Sequence, residues 1–127
     1  MQITKYLHTA ILVSDLEISA KFYGEILGLA QVERSLKFPG IWYQIGDYQI
    51  HLMIHPQANQ ATVHNQQKWG RNRHIAFAVK DIQAAKDKLQ THQYPVQMSS
   101  SGRAALFTQD PDGNVIELNQ VKPGCIS

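Results

Sequence analysis

The sequence predicts an α+β fold built from two tandem βαβββ modules, and three observations carry that prediction. Two apolar, β-rich runs, YLHTAILV at residues 6–13 and HIAFAV at 74–79, are each followed by an aspartate suited to cap a helix and by a stretch of helical periodicity. After each helical stretch come three short strand-like runs separated by turn residues. The spacing repeats as well: His8 precedes Asp15 by seven residues and His51 by 43, while His74 precedes Asp81 by seven and Glu117 by 43.

In chain order, residues 6–13 form an apolar strand with one polar intruder, His8, which alternation places with Ala10 and Leu12 on one face, opposite Thr9, Ile11 and Val13. Ser14 and Asp15 supply the cap of a first helix, with Glu17 three residues after Ser14 in capping-box spacing. Leu16, Ala20, Tyr23 and Leu27 make one apolar stripe, and Gly28 is the stop signal. Residues 29–37 are compatible with a strand and 38–40 with a turn, before strands at 41–45 and 48–54 joined through Gly46-Asp47. His51 interrupts the last of these between Ile50 and Leu52. The first module therefore covers about residues 4–55.

Residues 56–73 are rich in Gln, Asn, Ala and Lys and poor in apolar periodicity, which marks a linker or a surface loop. Trp69 within it is either a packing anchor or a pocket lid. The second module spans about residues 74–121, with Asp81 capping a helix striped by Ile82, Ala85 and Leu89. A strand at 94–98 and a turn at 99–102 lead into a hairpin around Asp110-Pro111-Asp112-Gly113. There proline presets φ, glycine accepts positive φ, and the aspartates can bond nearby backbone. Strands at 104–108 and 115–119 flank this turn, and residues 122–127 form a tail.

Composition narrows the function classes. With 127 residues the chain is of single-domain length. Lys+Arg 12 against Asp+Glu 10 leaves +2 with no long basic run, which disfavours nucleic acid as a partner. Cys125 is alone, so no internal disulfide can form, and it reads as an incidental thiol in the tail. Neither a secretory leader pattern nor an apolar span of about 20 residues is present, so the expectation is a soluble, cytoplasmic protein without membrane attachment.

The repeat singles out four residues. One polar residue at the first strand and one at the last strand recur in each module, giving His8, His51, His74 and Glu117. Each alone is ordinary in a strand. Two matched offsets among four residues of metal-ligating type point to a metal site.

At this point the chain resembles the vicinal oxygen chelate superfamily, which includes glyoxalase I, bleomycin-resistance proteins, extradiol dioxygenases, fosfomycin-resistance enzymes and methylmalonyl-CoA epimerase. The resemblance rests on LHTAILVSDL with FYxxILGL at residues 22–29, on RHIAFAV at the start of the second half, and on DPDGNxIEL at 110–118. It implies curled sheets with their helices outside, enclosing a cavity that holds one divalent metal ion. By position, His8 and His74 match the first-strand ligands and Glu117 the last-strand glutamate. His51 matches a fourth position that is a ligand in only some members.

The ligand types suit Ni, Zn, Mn, Co or Fe without choosing among them. Four ligands on an octahedral ion leave two open positions, which suits an isomerase or lyase whose metal, as Lewis acid, stabilises an enediolate on a small substrate with adjacent oxygens. Extradiol ring cleavage needs three open positions, with Fe(II) or Mn(II), and requires His51 to stay unligated. A metal-free, bleomycin-resistance-like binding protein is the alternative from another class. Resemblance to glyoxalase I implies that Glu117 can also serve as the catalytic base.

Two departures from the family narrow the substrate. Leu12 stands where glutathione-dependent glyoxalases tend to carry arginine, and residues 99–105 lack the potassium-loop pattern of fosfomycin thiol transferases. Trp42 and Phe107 are candidates for an aromatic wall of the substrate site, and Arg103 for a contact to an anionic group. The family further implies a homodimer, with the site closed within one chain or across two.

Overall fold

The computed structural model describes residues 1–33, 37–60 and 63–121. The element order is βαβββ twice over. β1 (His8–Val13), α1 (Leu16–Ala20), β2 (Ala30–Gln31), β3 (Gly40–Ile45) and β4 (Tyr48–Ile54) make the first set. The second is β5 (His74–Val79), α2 (Ile82–Thr91), β6 (Val96–Met98), β7 (Ala105–Gln109) and β8 (Val115–Gln120). Each set closes one four-stranded mixed sheet, in the order β1-β4-β3-β2 and β5-β8-β7-β6. The chain divides into two compact units, Met1–Gln60 and Ala61–Ser127, so most of the expected linker belongs with the second unit.

Within the first unit β1 lies parallel to β4, and β3 pairs antiparallel with both β4 and β2. Alternation sorts β1 as expected: Ile11 and Val13 are buried, whereas His8, Ala10 and Leu12 are exposed. The apolar face gathers Ile11, Val13, Tyr43, Ile50 and Leu52 with Phe22 and Tyr23 from the helical segment. The rings of Phe22 and Tyr23 meet edge to face at 4.9 Å.

The helical segment departs from the expected stripe. Asp15 alone is the cap, its carboxylate accepting from Ile18 N–H at 2.9 Å. After Ala20 the chain widens into a π-helical stretch, Lys21–Ile26, in which Leu27 N–H donates to Phe22 C=O. The wider turn lets the adjacent Phe22 and Tyr23 both reach full burial, while Leu16 and Leu27 stay half-buried. Gly28 ends it at φ 75°. The strand expected over 29–37 is confined to the two residues of β2, and residues 34–36 of that span lie outside the described residues.

The second unit repeats the topology, with β5 parallel to β8 and β7 antiparallel to β8 and β6. Asp81 caps α2 through Ala84 N–H, and Leu89 is its buried anchor. In the turn, Asp110 Oδ1 accepts from the backbone N–H of Asp112 and Asn114 at 2.9 and 2.8 Å, and Gly113 takes φ 87°. The halves match at their anchors, but the equal spacing of 43 residues hides turns of unequal length inside them. The first module turns from β3 to β4 across Gly46-Asp47, whereas the second needs residues 110–114. Cys125 and the rest of residues 122–127 lie outside the described residues. Among the described residues no helix is long and apolar enough to cross a membrane.

Candidate functional site

Strand register puts the predicted residues together in two pairs. In the first unit Ala10 stands beside His51 across the parallel pair, and Trp42 stands opposite His51 on the other side. Residues opposite one another in a ladder point to the same face, so Trp42, His51 and the β1 residues at His8 parity share one surface. Their rings form a column. Trp42 stacks on His51 at 3.6 Å between centroids and 8°, and His8 covers the other side of His51 at 4.0 Å and 18°. His51 is only 6 % exposed, while His8 is open to solvent.

A chain of amides fixes the His51 ring. Its Nε2 lies 2.8 Å from Gln49 Oε1, which cannot donate, so Nε2 carries a hydrogen. Gln49 Nε2 donates in turn to Gln44 Oε1, and Gln44 Nε2 to Gly46 C=O. Binding of a cation at Nε2 would require that first bond to break.

The second pair is built differently. Ala76 stands beside Glu117 and Phe107 opposite it, the same register as in the first unit. His74 Nε2 lies 3.0 Å from Glu117 Oε1, and His74 Nδ1 lies 2.7 Å from Asn72 C=O. The carbonyl can only accept, so Nδ1 carries a hydrogen; in the neutral ring the Nε2 lone pair then faces a carboxylate oxygen. Two acceptors in that position are reconciled by a proton, on the ring or on the carboxyl, or by a metal ion. A ring that donates its remote N–H to a backbone carbonyl is also the usual support for a metal-ligating histidine. Histidine nitrogen with carboxylate oxygen is a donor set that suits Zn, Ni, Fe, Mn or Co.

Glu117 is held from its other oxygen. Oε2 accepts a short hydrogen bond from Asn119 Nδ2 and lies 3.7 Å from Arg103 Nη1. Arg103 also donates to Asn119 Oδ1 at 3.1 Å and through Nε to Ser101 Oγ at 3.0 Å. Glu117 itself is 8 % exposed. Phe107 sets its ring edge against His74, with centroids 5.6 Å apart and planes at 90°. All three expected substrate-binding residues therefore sit against a member of a predicted pair. Among the described residues neither unit gathers three or more His, Cys, Asp or Glu side chains around one point.

Several supports of the site were not anticipated from the sequence. Gln49 and Asn119 sit two residues from His51 and Glu117, and strand alternation alone would have placed them on the same face. Asn72 carries no such signal. It is 6 % exposed, its Oδ1 accepts from His64 and Asn65 N–H, and its Nδ2 donates to the Asn65 and Trp69 carbonyls. The loop thought to be a linker is thus tied by one amide to the residue that orients His74. Trp69 opens the 3₁₀ turn Trp69–Arg71, its indole N–H on Gln66 C=O.

Comparison with known proteins agrees with this architecture. The sequence pattern of the Glyoxalase/Bleomycin resistance protein/Dioxygenase superfamily matches residues 5–118. A protein named "Probable lactoylglutathione lyase" from Synechocystis sp. is 30% identical over 128 residues, covering 90% of this chain and 93% of the relative. Human "Methylmalonyl-CoA epimerase, mitochondrial" is also 30% identical over 128 residues, covering 89% of this chain and 72% of the relative. Among solved structures, the antibiotic binding protein TnmS3 from Streptomyces sp. CB03234 superposes with a TM-score of 0.69 at 26% identity, covering 96% of this chain and 99% of that one. With its repeated βαβββ order and its family match over most of its length, the chain belongs to the Glyoxalase/Bleomycin resistance protein/Dioxygenase superfamily.

Proposed function

We propose that the protein is a divalent-metal-dependent lyase or isomerase of the glyoxalase type, acting on a small substrate that presents two adjacent oxygens. The observation that carries this reading is the His74 and Glu117 pair, in which a ring hydrogen-bonded through Nδ1 turns Nε2 toward a carboxylate 3.0 Å away. His8, His51, His74 and Glu117 would hold the ion, drawn from one chain or from the two chains of a homodimer. When bound, a divalent ion acts as a Lewis acid on the chelating oxygens and makes a neighbouring C–H more acidic. Glu117 is the base in this reading. It takes the proton at the carbon beside those oxygens, with Asn119 steadying Oε2 and leaving Oε1 free to turn from His74. Its near-complete burial keeps water from competing for the same proton.

A second reading is favoured by one contact. The hydrogen bond between His51 Nε2 and Gln49 suits a ring that stays off the metal, and a set of two histidines and Glu117 is the ligand set of extradiol ring cleavage.

The test is elemental analysis of protein purified without chelator, beside Glu117→Ala. About one equivalent of Ni, Zn, Mn or Co per chain, lost in the variant, supports the lyase or isomerase reading; iron favours oxygen chemistry. No metal in the wild type after incubation with each ion overturns both and leaves a small-molecule-binding protein.

A further inference from the structure

The second unit carries a cleft of about 490 Å³, between the 3₁₀ turn and the β6–β7 loop, and no step above uses it. That volume falls within the roughly 300–1,000 Å³ typical of small-molecule sites. Its lining includes Lys68, Arg71 and Arg103, three serines at 99–101, and no Asp or Glu. A comparable cleft of about 450 Å³ in the first unit is instead lined by Glu17, Glu25 and Lys21, so its carboxylates outnumber its one cation.

We propose that the second-unit cleft binds a carboxylate or phosphate group of the substrate, with Lys68, Arg71 and Arg103 as its cationic contacts. The claim that the bound anion belongs to the substrate rests on the function proposed above; the anion site itself does not. Among the described residues Lys68 and Arg71 make no ion pair, and the one Arg103 makes, at 3.7 Å, is beyond hydrogen-bond length. Arg103 is aimed rather than loose. Its bonds to Ser101 and Asn119 occupy two of five N–H groups, which leaves the Nη2 pair for an incoming oxyanion. Cations gathered in a concave wall whose lining contributes no carboxylate, with Glu117 behind Arg103 the one carboxylate near them, raise the local concentration of anions.

The walls are held before any ligand arrives. Gln97 accepts from Trp69 N–H at 2.9 Å and donates to Gln67 C=O at 2.9 Å, clamping the loop to β6. Gly70 lies on the Phe107 ring so closely that an added Cβ would be 2.6 Å from Cζ. Phe107 also meets His74, so the floor of the cleft adjoins the pair that carries the proposed chemistry. A substrate with an anionic group on one arm and two chelating oxygens on the other fits this placement.

The test is titration calorimetry at low ionic strength with three probes: inorganic phosphate, malonate and neutral malonamide. Each is added to the wild type, to Lys68→Ala/Arg71→Ala, to Lys68→Arg/Arg71→Lys and to Glu117→Ala. Phosphate or malonate should bind the wild type, weaken about tenfold or more in the double alanine variant, and recover in the charge-keeping one. The tighter of the two probes assigns the anion class, and malonamide should not bind. Glu117→Ala, which removes a proposed metal ligand, should still bind the anion, so loss of metal and loss of anion binding are separable failures. Equal affinity in wild type and double alanine variant, or no binding of either anion, overturns the proposal. So does binding of malonamide as tight as that of malonate.

Discussion

The two units place their polar pairs at equivalent points of one strand register, yet hold them in different ways. In the first, His51 is pressed between Trp42 and His8, and its Nε2–H donates to a glutamine on its own strand. In the second, His74 and Glu117 face each other, and the outer atoms of both are held, by Asn72 C=O and by Asn119. A duplicated backbone fixes where a side chain starts. What it can do is decided by the residues two positions away on the same strand face and by the loop that reaches it. The second unit is thus pre-arranged to bring an imidazole nitrogen and a carboxyl oxygen to one point, whereas the first must exchange a contact before its buried imidazole can bind through Nε2.

The sharpest way to break that contrast is to remove one imidazole at a time. His74→Ala should lower metal affinity by about 100-fold or more, while His51→Ala should cost less than about tenfold, since its gain is offset by the broken Gln49 bond. Metal-competition titration reads both. Equal losses would show that the two pairs contribute alike, and an unchanged His51→Ala with activity retained would favour the three-ligand reading.

Asn72→Ala tests the loop support. It removes the side-chain partner of the His64 and Asn65 N–H groups and of the Asn65 carbonyl, while the Trp69 carbonyl keeps the Asn72 N–H, so we expect about 1–2 kcal/mol less stability in urea unfolding. Metal affinity should fall with it, because His74 loses a fixed neighbour. If stability falls and metal affinity does not, His74 is oriented by something other than this loop.

Gly70→Ala sharpens the contrast from the other side. The added methyl meets Phe107 at 2.6 Å, and displacing that ring costs about 1–2 kcal/mol and disturbs the edge contact to His74. Thermal unfolding measures the first effect and metal titration the second.

The smallest effect belongs to the first unit's core. Burial pushes the Tyr43 phenol above its ordinary value of 10.0, because the ionised form is poorly solvated there. A folded pKa raised in this way leaves stability intact below the unfolded value near 10, and loses it as pH climbs toward the folded one. Tyr43→Phe should therefore flatten the alkaline limb of a stability-against-pH curve and change little at neutral pH. An unchanged alkaline limb would place the loss in another group.

Alternation, cap residues and turn chemistry act over a few neighbouring residues, and what they control was legible. β4 and β5 begin and end where their apolar runs do, Asp15 and Asp81 cap their helices, and the Asp110 turn closes as its residues require. Spacing alone also anticipated that His8 meets His51 and His74 meets Glu117, because a repeated module repeats its strand register. Burial of adjacent Phe22 and Tyr23 by a wider helical turn was not legible, since a stripe counted at regular α-helical spacing cannot register a change of pitch. Nor was the work of Asn72, Gly70 and the cationic cleft. Those depend on groups distant along the chain meeting across a loop and a sheet, as Gln97 meets Trp69 from 28 residues away. Such meetings are set by the packing of the whole unit, which no local pattern encodes.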